Sequence, residues 1–311
     1  MHRAGATHFH RNVPIAVVCL VVILVMIFAL WGIRCHNSAE QRIHRLGYPI
    51  EQAKVIASKI DKTQCDSLVA RETYDSLAYA IVTDRYYIQQ YFEDYLAFHQ
   101  ADTSSMSAQD IVAVINVHAE RPGYGVSVPC DTSKGNLMLV NKYHYLDTAY
   151  IPHHQVRFEK NYAFGENWAR KEVVENYMAL QKDAKAATGK QLIISSAYRS
   201  GKRQIKIHNP KKETLTARSG YSEHQTGLCL DIVSMEHTEI WSFGKSAEGK
   251  WMRENCHKYG FIVRYPKGKS HITGYQYEPW HLRYVGKDVA KKIHDEGITF
   301  DEYYAFYINR D

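Results

Sequence analysis

From Val13 to Gly32 the chain reads VPIAVVCLVVILVMIFALWG, 20 residues without a charge. Few structures suit such a segment. A helix rises about 1.5 Å per residue, so about 20 apolar residues match a hydrocarbon core about 30 Å thick. The competing reading is a cleaved signal peptide, but those carry apolar runs of about 7–15 residues and a small-residue A-x-A-like site, and no such site follows here. Cys35 is preceded by Gly32-Ile33-Arg34, which lacks the small residues of lipoprotein processing. The expected arrangement is a cytoplasmic tail over 1–12 and an uncleaved anchor over 13–33. Arg3 and Arg11 precede the span, and Arg34, Arg42 and Arg45 follow it, so basic residues do not orient it.

The rest of the 311 residues permit one or two domains with a substantial core. With 45% hydrophobic and 23% charged residues, general disorder is excluded. The net charge of +6 is spread along the chain and forms no Lys/Arg block, so no nucleic-acid partner is expected. Cysteines at 19, 35, 65, 130, 229 and 256 contain no C-x-x-C pair, which argues against a zinc ribbon or thioredoxin-like site. A Cys229–Cys256 disulfide and buried free thiols both stay open.

Residues 34–130 read as a mainly helical membrane-proximal region. Pro49 opens one helical stretch, and Ser107 followed by Asp110 resembles a capping box before Ile111 to Ile115. Tyr87, Tyr91, Tyr95 and Phe98 recur at helical spacing, which suits packing. Turn-like residues at 122–125 and 131–135 break this pattern, and a second domain is placed over 131–311. There, Val173, Tyr177, Leu180, Ala184 and Ala187 mark an amphipathic helix ended by Gly189. Strands are expected over 191–196, 228–233, 260–265 and 280–285, and Thr299-x-x-Glu302 caps a last helix. Irregular mixing of strands and helices predicts an α+β domain.

Three segments carry chemistry. In Ser222-Glu223-His224-Gln225-Thr226-Gly227-Leu228-Cys229-Leu230-Asp231, an imidazole in a loop precedes a strand carboxylate by seven positions. Both groups are ordinary zinc ligands. In Glu278-Pro279-Trp280-His281 a further imidazole follows a carboxylate that need not be a ligand. Three protein ligands leave a fourth position for water, and a hydrolytic site also needs a base outside the ligand set. On a regular strand Glu278 and His281 would face opposite ways, but Pro279 breaks the ladder and lets them converge. Arg199, at the end of an expected strand in Ser195-Ser196-Ala197-Tyr198-Arg199-Ser200, is suited to a carboxylate or an oxyanion. Each segment also has a plain reading: a chance spacing, a surface ion pair, an exposed arginine.

Taken in order, Ser-Ala-Tyr-Arg-Ser, Gly-Tyr-Ser-Glu-His-Gln-Thr-Gly (220–227), Lys-Tyr-Gly-Phe (258–261) and Glu-Pro-Trp-His (278–281) closely resemble the VanY-type zinc D-alanyl-D-alanine carboxypeptidases, including LdcB-like L,D-carboxypeptidases. The stretch 260–269 and Gly274-Tyr275 also resemble this family. The resemblance covers about Asp131 to the C-terminus. It implies an α+β fold of the hedgehog/D,D-peptidase type, with zinc on His224, Asp231 and His281. Glu278 would be the general base, Arg199 would stabilise the scissile carbonyl oxygen, and Gln204 and Ser222 would help hold the terminal D-alanine. Two positions depart from the pattern: Ser219 replaces a common proline, and Cys229 replaces a usual alanine two residues before Asp231.

The resemblance therefore implies a metallo-carboxypeptidase acting on peptidoglycan stem peptides on the cell-wall side of a membrane. Three activities follow from it: D,D-carboxypeptidase on pentapeptides, L,D-carboxypeptidase on tetrapeptides, or a silent wall-binding module.

Overall fold

The computed structural model describes residues 19–20, 22–28, 38–101 and 106–309. Most of the expected span over 13–33, and the tail over 1–12, lie outside the described residues. Within the span, residues 19–20 and 22–28 are helical. Among the described residues no helix is long and apolar enough to cross a membrane.

The chain divides into two units, Met1–Ala101 and Asp102–Asp311. The smaller one is helical. Its helices Ile50–Lys59 and Lys62–Ala70 begin at Pro49 and at a capping box of Asp61 with Gln64. Its core includes Ile43, Ile56, Leu68, Phe92 and Tyr95, all fully buried. Tyr95, one of the helically spaced aromatics, is thus a packing residue.

Residues 106–130, expected in the membrane-proximal region, cluster with the larger unit. The helix Ala108–Asn116, capped by the Ser107 hydroxyl, buries Ile111 through Asn116. His271 Nε2 lies 3.3 Å from Asp110 Oδ1 on that helix. Burying a nearly continuous apolar run needs a larger core, which explains where this helix sits.

The larger unit is built on a four-stranded sheet. Its strands are β1 (Leu192–Ser196), β2 (Cys229–Ser234), β3 (Phe261–Val263) and β4 (His281–Tyr284). The spatial order is β1-β2-β4-β3, with every neighbouring pair antiparallel. Helix α1 (Lys171–Thr188) ends at Gly189, whose φ of +72° suits a residue without Cβ. It buries Val173, Tyr177, Leu180 and Ala184, which join Leu192, Ile194, Leu230 and Ile232 in one core. Near the C-terminus, Thr299 and Glu302 form the expected capping box. The mixed helix and sheet is the α+β architecture expected from the sequence.

Two local devices shape the sheet for a site. Between Ile194 and Ser196 the β1–β2 register slips by one residue, so Ser196 stands opposite Asp231. Such a bulge bends a strand and re-aims nearby side chains. On the other edge of β2, Asp231 is the direct partner of His281 on β4.

Candidate metal centre

His224 sits in a short 3₁₀ turn, Glu223–Thr226, closed by Gly227 at φ +69°. That φ favours glycine, and a side chain at Gly227 would also press on the Pro152 ring at 3.0 Å. The turn ends where β2 begins and holds the imidazole above Asp231. His224 Nε2 lies 3.2 Å from Asp231 Oδ2, and His281 Nδ1 lies 3.2 Å from Asp231 Oδ1. The imidazoles of His224 and His281 are 4.9 Å apart and nearly perpendicular.

Two of these atoms have no hydrogen-bond partner although they are buried: His224 Nε2 and Asp231 Oδ1. Buried polar atoms are seldom left so. One donor atom from each of His224, Asp231 and His281 can be chosen with all three within 4.8 Å of one another. Two donors about 2.0–2.2 Å from a common ion at the tetrahedral angle stand about 3.3–3.6 Å apart, near the 3.2 Å separations seen here. The set of two nitrogens and one carboxylate therefore fits zinc.

The protonation states agree. His224 Nδ1 is 2.7 Å from the Ala197 carbonyl oxygen, which only accepts, so Nδ1 carries the proton and Nε2 keeps a free lone pair. Burial and the nearby Arg199 lower the His224 pKa to about 4, so the ring is neutral at ordinary pH. Burial alone would raise the Asp231 pKa, but His224 and His281 outweigh it and hold the carboxyl well below its usual range.

Glu278 reaches the same centre through a turn. The His281 N–H donates to the Glu278 carbonyl oxygen at 3.2 Å across Pro279 and Trp280, which breaks strand alternation. Glu278 Oε2 consequently lies 3.5 Å from His281 Nδ1. Burial, then the Asp231 carboxylate, push its pKa well above the ordinary range.

Arg199, Gln204 and Ser222 line the same cleft, an opening of about 230 Å³ that also holds Glu278 and the three donors. The Arg199 N–H donates to the His224 carbonyl oxygen at 3.1 Å, which ties its backbone to the metal-side turn. Its side-chain Nε is buried without a partner. Gln204, on helix α2 (Gly201–Ile207), donates to the Ala217 carbonyl oxygen at 2.7 Å and leaves Oε1 without a partner. All seven residues singled out in the sequence thus meet in one cleft.

Sequence reasoning assigned no role to Glu223, Arg264, Arg283 or Asp301, which form a buried charge network behind the centre. Glu223 Oε1 accepts from Arg264 at 2.8 Å and from Arg283 at 2.6 Å. Asp301 accepts from Arg264 and from Asn141. The Cys229 thiol donates to Glu223 Oε2 at 3.3 Å, and His281 Nε2 lies 3.9 Å from the same oxygen. Cys229 thus faces Glu223 rather than joining His224 and Asp231. It is a free thiol, as are Cys19, Cys65, Cys130 and Cys256, so no Cys229–Cys256 disulfide forms. At the other departure from the motif, the Ser219 hydroxyl donates to the Gly201 carbonyl oxygen at 2.9 Å.

Known proteins share this arrangement of sequence. The family profile described as D-alanyl-D-alanine carboxypeptidase, VanY, matches residues 166–287. The putative carboxypeptidase YodJ of Bacillus subtilis is 42% identical over 184 residues, covering 54% of this chain and 66% of that protein. A D-alanyl-D-alanine carboxypeptidase of Enterococcus faecium is 32% identical, covering 55% of this chain and 57% of the relative. The bifunctional D-Ala-D-Ala dipeptidase and carboxypeptidase VanXYC of Enterococcus gallinarum is 32% identical, over 55% of this chain and 94% of that protein. The chain thus spans about two thirds or less of the first two relatives and nearly all of the third. The solved structure of the LdcB LD-carboxypeptidase superposes with a TM-score of 0.53 at 39% identity, covering 58% of this chain and 90% of that one. The chain belongs to the VanY-type D-alanyl-D-alanine carboxypeptidase family.

Proposed function

We propose that this chain is a zinc-dependent carboxypeptidase that removes the terminal D-alanine from peptidoglycan stem pentapeptides. The observation that carries the reading is the trio of His224, Asp231 and His281, whose buried donor atoms converge beside a carboxyl outside the trio. Those three residues would hold the ion, which when bound supplies Lewis acidity toward a carbonyl and lowers the pKa of a coordinated water.

The remaining chemistry belongs to side chains. Glu278 takes a proton from the attacking water and later returns it to the departing D-alanine amine; its raised pKa suits a group that must hold a proton between the two events. Arg199 offers its unpartnered Nε–H to the carbonyl oxygen as negative charge develops there. Gln204 and Ser222 meet the terminal D-alanine, and the free Gln204 amide oxygen is an acceptor available to it.

A second reading is L,D-carboxypeptidase action on tetrapeptide stems, favoured by the 39% identity to the LdcB structure. One experiment separates them. Purified protein is given pentapeptide and tetrapeptide stems with and without a chelator, and D-alanine release is measured. Release from the pentapeptide alone, abolished by metal removal, is expected. Release from the tetrapeptide alone selects the second reading, and release indifferent to metal removal defeats both.

We also propose that the segment over 13–33 anchors the enzyme with its catalytic unit on the cell-wall side. In support, Leu20 and the apolar residues 22–28 expose their side chains on a helical segment. Chain lacking residues 1–36 should leave the membrane fraction for the soluble one, and retention there would overturn the anchor.

A further inference from the structure

Beside the cleft lies a cation that the proposed reaction does not use. Lys142 runs through a slot between two glycines. A methyl group at Gly123 would stand 2.8 Å from Lys142 Cβ, and one at Gly274 would stand 3.2 Å from its Cδ. Gly123 therefore leaves room for the root of this side chain, while Gly274, a glycine by its φ of +72° at a helix end, lies against its flexible part. Its ammonium ends 5.0 Å from the Tyr275 ring centre and 5.7 Å from that of Tyr124. Among the described residues no carboxylate pairs with it. Glu213, the acid whose field reaches it, is already taken by Arg218 at 2.7 Å.

Tyr124, whose ring also carries the Arg218 guanidinium 4.2 Å from its centre, adopts a strained backbone. Its φ is +69°, a region that bulky L residues avoid. It is held there by its N–H donating to the Lys142 carbonyl oxygen at 2.8 Å, by edge-on packing of Tyr221 at 4.8 Å, and by a hydroxyl contact with Tyr275 at 3.4 Å. Such strain persists where the surroundings over-determine it, often at ligand clamps.

The geometry links this cation to the reacting end. Tyr275 lines the cleft, packs 4.8 Å from Tyr265, and Tyr265 packs 5.0 Å from His281. Lys142 is one further step of 5.0 Å beyond Tyr275. An extended peptide advances about 3.3 Å per residue, so about four to five residues at most cover that distance. A carboxypeptidase keeps a single residue beyond the scissile bond. Whatever reaches Lys142 past two tyrosine rings belongs to the part of the peptide before it.

We propose that Lys142, framed by Tyr124 and Tyr275, is a subsite for a carboxylate carried by the substrate peptide upstream of the scissile bond. The inference rests on the carboxypeptidase reading and adds a preference: stems with a free carboxylate there are favoured over amidated ones.

The test uses the zinc-loaded full chain and pairs of D-Ala-D-Ala-ended peptides. Each pair differs only in one upstream carboxyl, free or amidated, two to four residues before the cut. At the best position the acid form should be favoured about tenfold in kcat/KM, carried by KM, the scale of one charged hydrogen bond. K142M should bring that ratio to about one, and K142R should keep most of it. Equal rates for acid and amide in the parent chain, or an unchanged ratio in K142M, would overturn the subsite. D-alanine release from none of the peptides would defeat the carboxypeptidase reading alone. The affinities of the same pairs for the E278Q chain, measured by calorimetry, then decide the subsite, and equal affinities overturn it.

Discussion

The Nδ1–H of His224 donates to the Ala197 carbonyl oxygen at 2.7 Å, and this bond selects the imidazole nitrogen that faces the cleft. Ala197 follows directly on β1, whose bulge already adjusts what stands opposite Asp231. The strand that carries the Ala-Tyr-Arg motif thus sets the tautomer of one ligand and, two residues on, delivers Arg199. Partners of this kind behind a metal ligand commonly tune affinity by about 10–100-fold when lost.

Metal content should follow the trio. H224A, D231A and H281A are each expected to drop bound zinc from about one ion per chain to near none, read by elemental mass spectrometry. In the parent chain, metal at about 100 times its Kd should add about 2.7 kcal/mol of stability. A chelator should therefore lower the thermal midpoint of the parent and leave those three variants unmoved.

Glu278 should separate chemistry from binding. E278Q keeps the shape and removes the proton acceptor, so kcat is expected to fall about 10²–10⁴-fold while zinc content stays intact. Near-parental turnover in this variant would remove Glu278 from the proton path.

Arg199 should act chiefly on the reaction. R199M is expected to lower kcat about 10²–10³-fold, the usual loss for one oxyanion donor. R199K should restore little, because an ammonium lacks the planar fork. Because Nε of Arg199 is buried without a partner, the thermal midpoint of R199M should equal or exceed that of the parent.

Glu223 should govern acid stability. Burial alone would raise its pKa, but Arg264 and Arg283 outweigh that and hold it at about 2, against 4.5 in the unfolded chain. The unfolded chain therefore takes up a proton that the folded one refuses. Stability from this group is complete above about pH 4.5 and drains as pH falls toward about 2, by about 3 kcal/mol across the window. E223Q strands two buried guanidinium groups and should cost about 3–5 kcal/mol. Urea unfolding between those pH values should show a shallower pH dependence in E223Q than in the parent.

Much of the site was legible because its signals are local. His224 and Asp231 share one turn and strand, and Glu278 and His281 share one turn, so short motifs contain them whole. The four strands and helix α1 were legible from alternation and from i, i+4 spacing, with ends differing by a residue or two. The charge network was not legible. Arg264 meets Asp301 and Asn141 meets Asp301 over separations of 37 and 160 residues, and neither end carries a spacing that points to the other. The one available hint was charge where strands should be apolar: Arg264 directly after β3 and Arg283 within β4. The helix at 108–116 was placed in the wrong region for a related reason, since its run of six buried residues declares a core but not which one.

Asp231 and His281 are matched partners in the β2–β4 register, and that pairing doubles as a proofreading device. Side chains alternate across a sheet, so sliding either strand by one residue would turn one ligand to the opposite face. A mispaired sheet would keep most of its backbone hydrogen bonds and still present no trio to an ion. Metal capture during folding would then reward the correct alignment alone, and the ion that enables the reaction would also certify that the sheet beneath it is correctly assembled.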